Sequence, residues 1–205
     1  MWTKWRSYAE PGLSDMTRAL VVGGTGPSGT TIVERMLARG WQVSIYHTGA
    51  HEREFSRAIE HIHGDPGYAS DLERDLTRRN FDVVVSTSGR IRSVVNSLKG
   101  RTRRLVAISG LPVYAGALAA PGAPGVPVPI SEDAAKVETK EQDAFGYAVL
   151  EGERTVLDAH AAGHFQATIL RYTMVYGPYA SIPFDWYRVR RALDRRPRLV
   201  LEADG

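Results

Sequence analysis

The chain has 205 residues, long enough to bury a full core, and its 43% apolar and 24% charged side chains are the balance of a folded globular protein. No apolar run reaches the length of a bilayer-spanning helix, and a formal charge of +3 is too small to imply nucleic acid by itself. The absence of cysteine removes disulfides, thiolate metal sites and thiol catalysis together, and is compatible with a cytoplasmic protein.

Residues 1–16 carry Trp2, Trp5 and mixed charges but no apolar segment of the secretory type, and read as a loose extension. Short β-branched runs then alternate with helical patterns, which predicts βαβ units and a parallel sheet. Ala19 to Gly23 is a buried strand. Pro27 fits a first helical position, Ile32, Val33, Met36 and Leu37 form an apolar stripe, and Gly40 supplies the stop. A second strand spans Gln42 to Tyr46, a charged helix His51 to His61, and a short third strand ends at Ile62. A helix follows over Tyr68 to Arg79, then a strongly apolar strand over Phe81 to Ser86. A helix over Arg90 to Leu98 and a fifth strand over Arg104 to Ser109 complete this run.

Leu111 to Pro129 holds five Pro and reads as an exposed loop. A long helix from Glu141 to Ala162, a sixth strand from Gln166 to Arg171, a basic helix from Pro183 to Arg195 and a last strand over Arg198 to Leu201 finish the chain.

The motif with most chemistry in it is Gly23-Gly-Thr-Gly-Pro-Ser-Gly29, which follows a buried strand and opens a helix. Gly23 allows the tight turn, Gly26 lets a phosphate approach the backbone, and Gly29 lets helix pack on strand. The helix start adds free N–H groups and a favourable dipole for an anion. The run also resembles a phosphate-binding loop of the Walker type. Thr30, however, stands where that loop needs Lys, so a kinase or NTPase reading is poor. Thr25, Pro27 and Ser28 complete the expected cradle of a Rossmann-like, doubly wound α/β domain that binds a dinucleotide.

Dinucleotide choice is read at the end of the second strand, where a carboxylate would bind the ribose hydroxyls of NAD. His47 stands there instead, and Arg53 lies near enough to pair with a 2′-phosphate, so NADP is favoured over NAD. Both residues also have a plain surface reading.

Together these pieces resemble the NAD(P)-dependent epimerase/dehydratase family, the extended short-chain dehydrogenase/reductases, from Thr17 onward. The resemblance is carried by the glycine turn, by Gly64-Asp65, and by Ser109-Gly-Leu-Pro-Val-Tyr114. Tyr147 in the long helix and Leu170-Arg-Tyr-Thr-Met-Val-Tyr-Gly-Pro178 add to it. It implies that Asp65 holds the adenine amino group, that Ser86, Thr87 and Ser88 line the cofactor cleft, and that Tyr172 and Val175 lie beside the nicotinamide. It also implies a cofactor domain over 17–178 and, over 179–205, the start of a substrate lobe, in a chain truncated relative to the family.

The family's catalytic pair is Tyr-x-x-x-Lys, and the matching run is Tyr147-Ala-Val-Leu-Glu151. Spacing of i, i+4 puts both groups on one helix face. The sign is wrong, because a carboxylate pushes a phenol pKa up rather than down. The family's hydroxyl partner falls on Gly110, with Ser109 one residue early. The candidate catalytic residues are therefore Tyr147 and Ser109, with Tyr147 also readable as a packed helix tyrosine.

Other clusters carry less. His61 and His63 share one strand face, but no third ligand stands at a suitable spacing, so no metal is expected. His160 and His164 read as favourable contacts with a helix C-terminus. Six Arg against one Asp between Arg188 and Arg198 form a solvated face or a phosphate-contacting surface, and nucleic acid is the weaker reading. Two functions stay open. One is a NAD(P)-dependent oxidoreductase acting on a sugar-like or other hydroxyl/carbonyl substrate. The other is a non-catalytic NAD(P)-binding sensor or partner-binding protein. A small-molecule substrate, no membrane partner and an open question of a homodimer complete the expectations.

Overall fold

The computed structural model describes residues 17–87, 90–118, 129–180 and 185–196. The N-terminal extension, Ser88, the centre of the Pro-rich segment and the expected last strand at Arg198 lie outside the described residues.

Six parallel strands form one sheet: β1 (Arg18–Val22), β2 (Gln42–His47), β3 (Glu60–His63), β4 (Phe81–Ser86), β5 (Thr102–Gly110) and β6 (Gln166–Tyr172). Their order is β3-β2-β1-β4-β5-β6, so the direction of strand addition reverses between β1 and β4. That is the doubly wound arrangement, in which ligands bind beyond the carboxyl ends of the strands at the reversal point.

Alternation along β1 builds two cores. Ala19 and Val21 face one side, where α1 (Pro27–Leu37) covers them with Val33, Met36 and Leu37. Leu20 and Val22 face the other, under α2 (Ala69–Leu76), α3 (Ile91–Leu98) and α4 (Ala144–Ala161). The last helix, α5 (Trp186–Leu193), has no buried residue.

The expected helix over His51 to His61 is absent. Residues 51–59 have no regular structure, and His61 belongs to β3. The segment has tertiary partners that a helix would forfeit. Ser56 gives its backbone N–H and its hydroxyl to the Glu34 carboxylate, at 2.9 and 2.6 Å, while Phe55 and Ile59 pack on the α1 core. The start of the expected Leu111 loop is likewise ordered and buried. Leu111–Val113 is a 3-10 turn, and Val113 and Tyr114 pack against Leu150 of α4.

The phase of α4 is set by Asp143, whose Oδ1 accepts from the N–H groups of Phe145 and Gly146 at 3.0 and 2.9 Å. This N-cap starts the helix three residues later than the sequence pattern suggests. Among the described residues no helix is long and apolar enough to cross a membrane.

Candidate functional site

The glycine turn leaves β1 through Gly23, at φ +86, a conformation that strains any side chain. Its N–H is held by the Tyr46 carbonyl at 2.9 Å, and the Thr87 N–H is held by the Val22 carbonyl at 2.9 Å. A Cβ on Gly29 would lie 2.4 Å from the Gly23 carbonyl oxygen, so α1 can approach the turn this closely only with glycine there. Pro27 opens the helix, and helix geometry leaves the N–H groups of Ser28 and Gly29 without intrahelical acceptors.

Above this turn lies a cleft of about 470 Å³. Gly23, Thr25, Gly26, Pro27 and Ser28 line one side of it, His47 and Thr87 another, and Tyr172, Val175 and Tyr179 a third. The start of α1 borders it, where free N–H groups suit a phosphate anion.

Of the remaining expected cofactor residues, Arg53, Asp65 and Ser86 do not line this cleft. Ser86 ends β4 fully buried, and its Oγ has no hydrogen-bond partner. Asp65 is partly buried beside the cleft residue Pro66, with one carboxylate oxygen accepting the Gly67 N–H at 2.7 Å. The Arg53 guanidinium stacks over the Tyr179 ring at 4.1 Å. Tyr179 holds φ +70, unusual for a residue with a side chain. Ser88 lies outside the described residues.

His47 is buried, and its Nδ1 accepts the Gly49 N–H at 3.2 Å. Burial pushes its pKa down, Glu52 opposes this, and His61 and His63 add to the lowering. Glu52 reaches to 3.9 Å from His47 Nε2, so a carboxylate does stand beside this position, although not within the strand itself.

A second cavity of about 210 Å³ lies beside the cleft, with Thr87 and Ile108 in the wall of both. Ser109 lies in its wall, between β5 and α4. The helix contributes Phe145, Val149, Glu153 and Val156. Tyr147 is not among these residues. Two positions beyond Phe145 is about 200° around the helix, which turns Tyr147 toward Glu151 and Arg154. Arg154 pairs with the Glu151 carboxylate, and its guanidinium sits 5.9 Å from the Tyr147 ring centre. The structure therefore does not bring Tyr147 and Ser109 together.

Glu153 in the cavity wall belongs to a partly buried charge network. The Arg171 guanidinium donates to both oxygens of Glu153, at 2.9 and 2.7 Å, and to the Tyr114 hydroxyl at 2.7 Å. Burial works to raise the Glu153 pKa, but Arg171, with help from nearby Ser109 and Lys136, holds the carboxyl below the usual range. Ser109 Oγ is near enough to contribute to that lowering, yet it makes no bond of good geometry to Glu153 or to any other group. Glu153 was not singled out in the sequence. Its one available signal was the i, i+4 series Phe145, Val149, Glu153.

A doubly wound parallel sheet with a glycine turn and a cleft at the strand-order reversal defines a Rossmann-type nucleotide-binding fold. More narrowly, the chain belongs to the NAD dependent epimerase/dehydratase family, whose model matches residues 19–198. No curated protein matches it in sequence.

Several solved structures share the fold. The Bordetella bronchiseptica enzyme WbmG in complex with NAD aligns with TM-score 0.65 at 20% identity, covering 86% of this chain and 60% of that one. UDP-glucose 4-epimerase from Brucella ovis in complex with NAD gives 0.62 at 19% identity, covering 78% and 53%. The Bifidobacterium longum UDP-glucose 4-epimerase, in complex with NAD+ and UDP, gives 0.59 at 19%, covering 76% and 53%. This chain thus spans a little over half the length of these structures.

Proposed function

We propose that this chain is a NAD(P)-binding member of its family in which dinucleotide binding persists and the Tyr-Lys proton-transfer pair does not. One observation carries the reading. The i, i+4 positions of α4 that face the cavity beside Ser109 hold Phe145 and Val149, neither of which can transfer a proton. The family's hydroxyl position falls on Gly110, in the same wall. General acid–base help is worth roughly 10²- to 10⁴-fold in rate, so losing it separates binding from turnover. The chain then acts as a dinucleotide-responsive sensor or partner-binding module.

The cofactor is NAD or NADP. The structures of like fold named above contain NAD, which supports a nicotinamide dinucleotide in the cleft. A preference for NADP rested on there being no carboxylate at the end of β2, and Glu52 beside His47 weakens that argument. Arg53 still favours a 2′-phosphate if its guanidinium turns from Tyr179 toward the ribose.

A second reading keeps the oxidoreductase function, on a sugar-like or other hydroxyl/carbonyl substrate. It is favoured by the Ser109 hydroxyl in a cavity adjoining the cleft, with Thr87 and Ile108 in both walls. Fluorescence titration with NADH and NADPH tests the shared premise, and binding weaker than millimolar for both sinks both readings. Single-turnover hydride transfer to candidate nucleotide-sugars then separates them. Transfer abolished by Ser109→Ala establishes the enzyme; binding without transfer establishes the sensor.

A further inference from the structure

The parallel pairing of β2 with β3 sets His47 opposite His63 and Ile45 opposite His61. Because side chains two apart on a strand share a face, all three imidazoles point to the same side of the sheet. The segment after β2 then returns over that side and delivers Glu52. The imidazole rings stand nearly perpendicular to one another, at 76° to 80°. Their nitrogens converge with the carboxylate. His47 Nε2 is 3.2 Å from His61 Nδ1, Glu52 Oε2 is 2.8 Å from His61 Nδ1, and Glu52 Oε1 is 2.9 Å from His63 Nε2. All four ligand atoms lie within 4.8 Å of one another.

We propose that His47, Glu52, His61 and His63 form a binding site for a divalent transition-metal ion of the Zn²⁺ class at the edge of the dinucleotide cleft. Three imidazoles and one carboxylate are a donor set suited to zinc and its neighbours, and unsuited to Mg²⁺ or Ca²⁺. Bonds of about 2.0–2.2 Å at tetrahedral angles separate ligand atoms by roughly 3.3–3.5 Å, and the observed separations bracket that value. Small side-chain shifts would complete the shell.

Hydrogen bonding alone accounts poorly for the cluster. A carboxylate only accepts, so His61 Nδ1 and His63 Nε2 must carry protons toward Glu52. His47 Nε2 must then be bare to face His61, which puts its own proton on Nδ1, against the Gly49 N–H at 3.2 Å. Moving that proton to Nε2 makes His47 and His61 two donors facing each other. An ion takes the place of the converging protons and leaves only the long Gly49 contact to open. The ion would also pin the irregular segment 51–59 to the sheet. His47 lines the cleft as well, so the ion would form part of its wall.

Calorimetry with Zn²⁺ on the untagged protein, after chelator treatment, tests this, with Co²⁺ as a spectroscopic probe. One equivalent of Zn²⁺ is expected, and Co²⁺ should give the intense visible bands of a tetrahedral site. Glu52 and His63 are both more than half exposed, at 55% and 56%, so Glu52→Gln and His63→Ala leave folding intact. Each should weaken Zn²⁺ binding at least about tenfold, and the pair about a hundredfold. The Zn²⁺-dependent rise in unfolding temperature should vanish in the pair. Uptake weaker than about 100 μM, or uptake unchanged in the double variant, as from His160 and His164 elsewhere, would overturn the proposal.

Discussion

Phe145 and Val149 stand one turn apart on α4, and both line the cavity whose opposite wall carries Ser109 and Gly110. The spacing that suits a Tyr-Lys pair is thus present in the cavity with apolar side chains in it, while Tyr147 lies on another face beside Arg154. In Phe145→Tyr the new phenol should titrate near its ordinary value of about 10. Adding Val149→Lys should lower it, because the ammonium favours the phenolate, with the effect tempered because residue 145 is 61% exposed. Ultraviolet difference titration reads both. A Cβ on Gly110 would meet Pro112 Cδ at 3.2 Å and Tyr172 O at 3.6 Å, so Gly110→Ser needs only a small adjustment to restore the third group. Tyr147→Phe should leave dinucleotide affinity unchanged. Hydride transfer that is present in the natural chain and lost in Tyr147→Phe would return the acid/base role to Tyr147.

Two glycines of the turn should respond differently to alanine. At Gly26 an added Cβ meets nothing nearer than the Gly23 carbonyl at 3.8 Å, and φ is −81, so the fold accepts it. The methyl projects where a phosphate would approach the backbone. Gly26→Ala should therefore keep its unfolding midpoint and lose about tenfold or more in NADH and NADPH affinity, about 1.4 kcal/mol. Gly29→Ala places its Cβ 2.4 Å from backbone and should destabilise the protein itself, by more than about 2 kcal/mol. Equal unfolding midpoints for the two variants would contradict this division.

The architecture was legible because its signals are local. β1, the turn and Pro27 follow one another within ten residues, and each propensity agrees with the final fold. The 51–59 segment was misread because its charges look helical while its structure is decided by distant partners, Glu34 and the α1 core. The same limit hid the third and fourth members of the histidine cluster. His47 comes beside His63 through strand register, which no spacing along the chain reveals. On α4 the direction of each face depended on the Asp143 cap and on packing against β5, so the family's pair was read onto Tyr147 and Glu151. Glu153 was obscure because an isolated glutamate on a helix is usually solvated, and Arg171 neutralises it from eighteen residues away.

Arg53 offers a check on dinucleotide choice. Its stack on Tyr179 at 4.1 Å joins the segment after β2 to the segment after β6, beside a residue that lines the cleft. Cation–π contact of this kind is worth about 0.5–1 kcal/mol when exposed, less than the about 1–3 kcal/mol of holding Tyr179 at φ +70. A 2′-phosphate would compete for the guanidinium through stronger, bidentate bonds. Arg53→Ala should lower NADPH affinity about tenfold while changing NADH affinity less than threefold, as read by parallel fluorescence titrations. An equal loss for both would make Arg53 a structural clamp rather than a phosphate partner.

The Glu153–Arg171 pair should make stability depend on acid in a defined direction. In the folded chain the Glu153 carboxyl titrates below its usual range, because the pull of Arg171, Ser109 and Lys136 outweighs the opposing effect of burial. A lowered folded pKa means that the unfolded chain binds the proton more readily. The pair's contribution is thus fully present above the unfolded value of about 4.3. It is lost as pH falls through that value and on through the folded one. Glu153→Gln should be less stable at neutral pH by about 2–3 kcal/mol, toward the low end for a broken buried pair because Arg171 keeps 25% exposure. The deficit should begin to shrink below about pH 4.3, where the unfolded natural chain takes up the proton, and close as pH passes through the lower folded value. Urea unfolding midpoints of both chains between neutral pH and about 3 would show the two curves converging on the acid side. A gap that stays constant with pH would assign the role of Glu153 to packing rather than to charge.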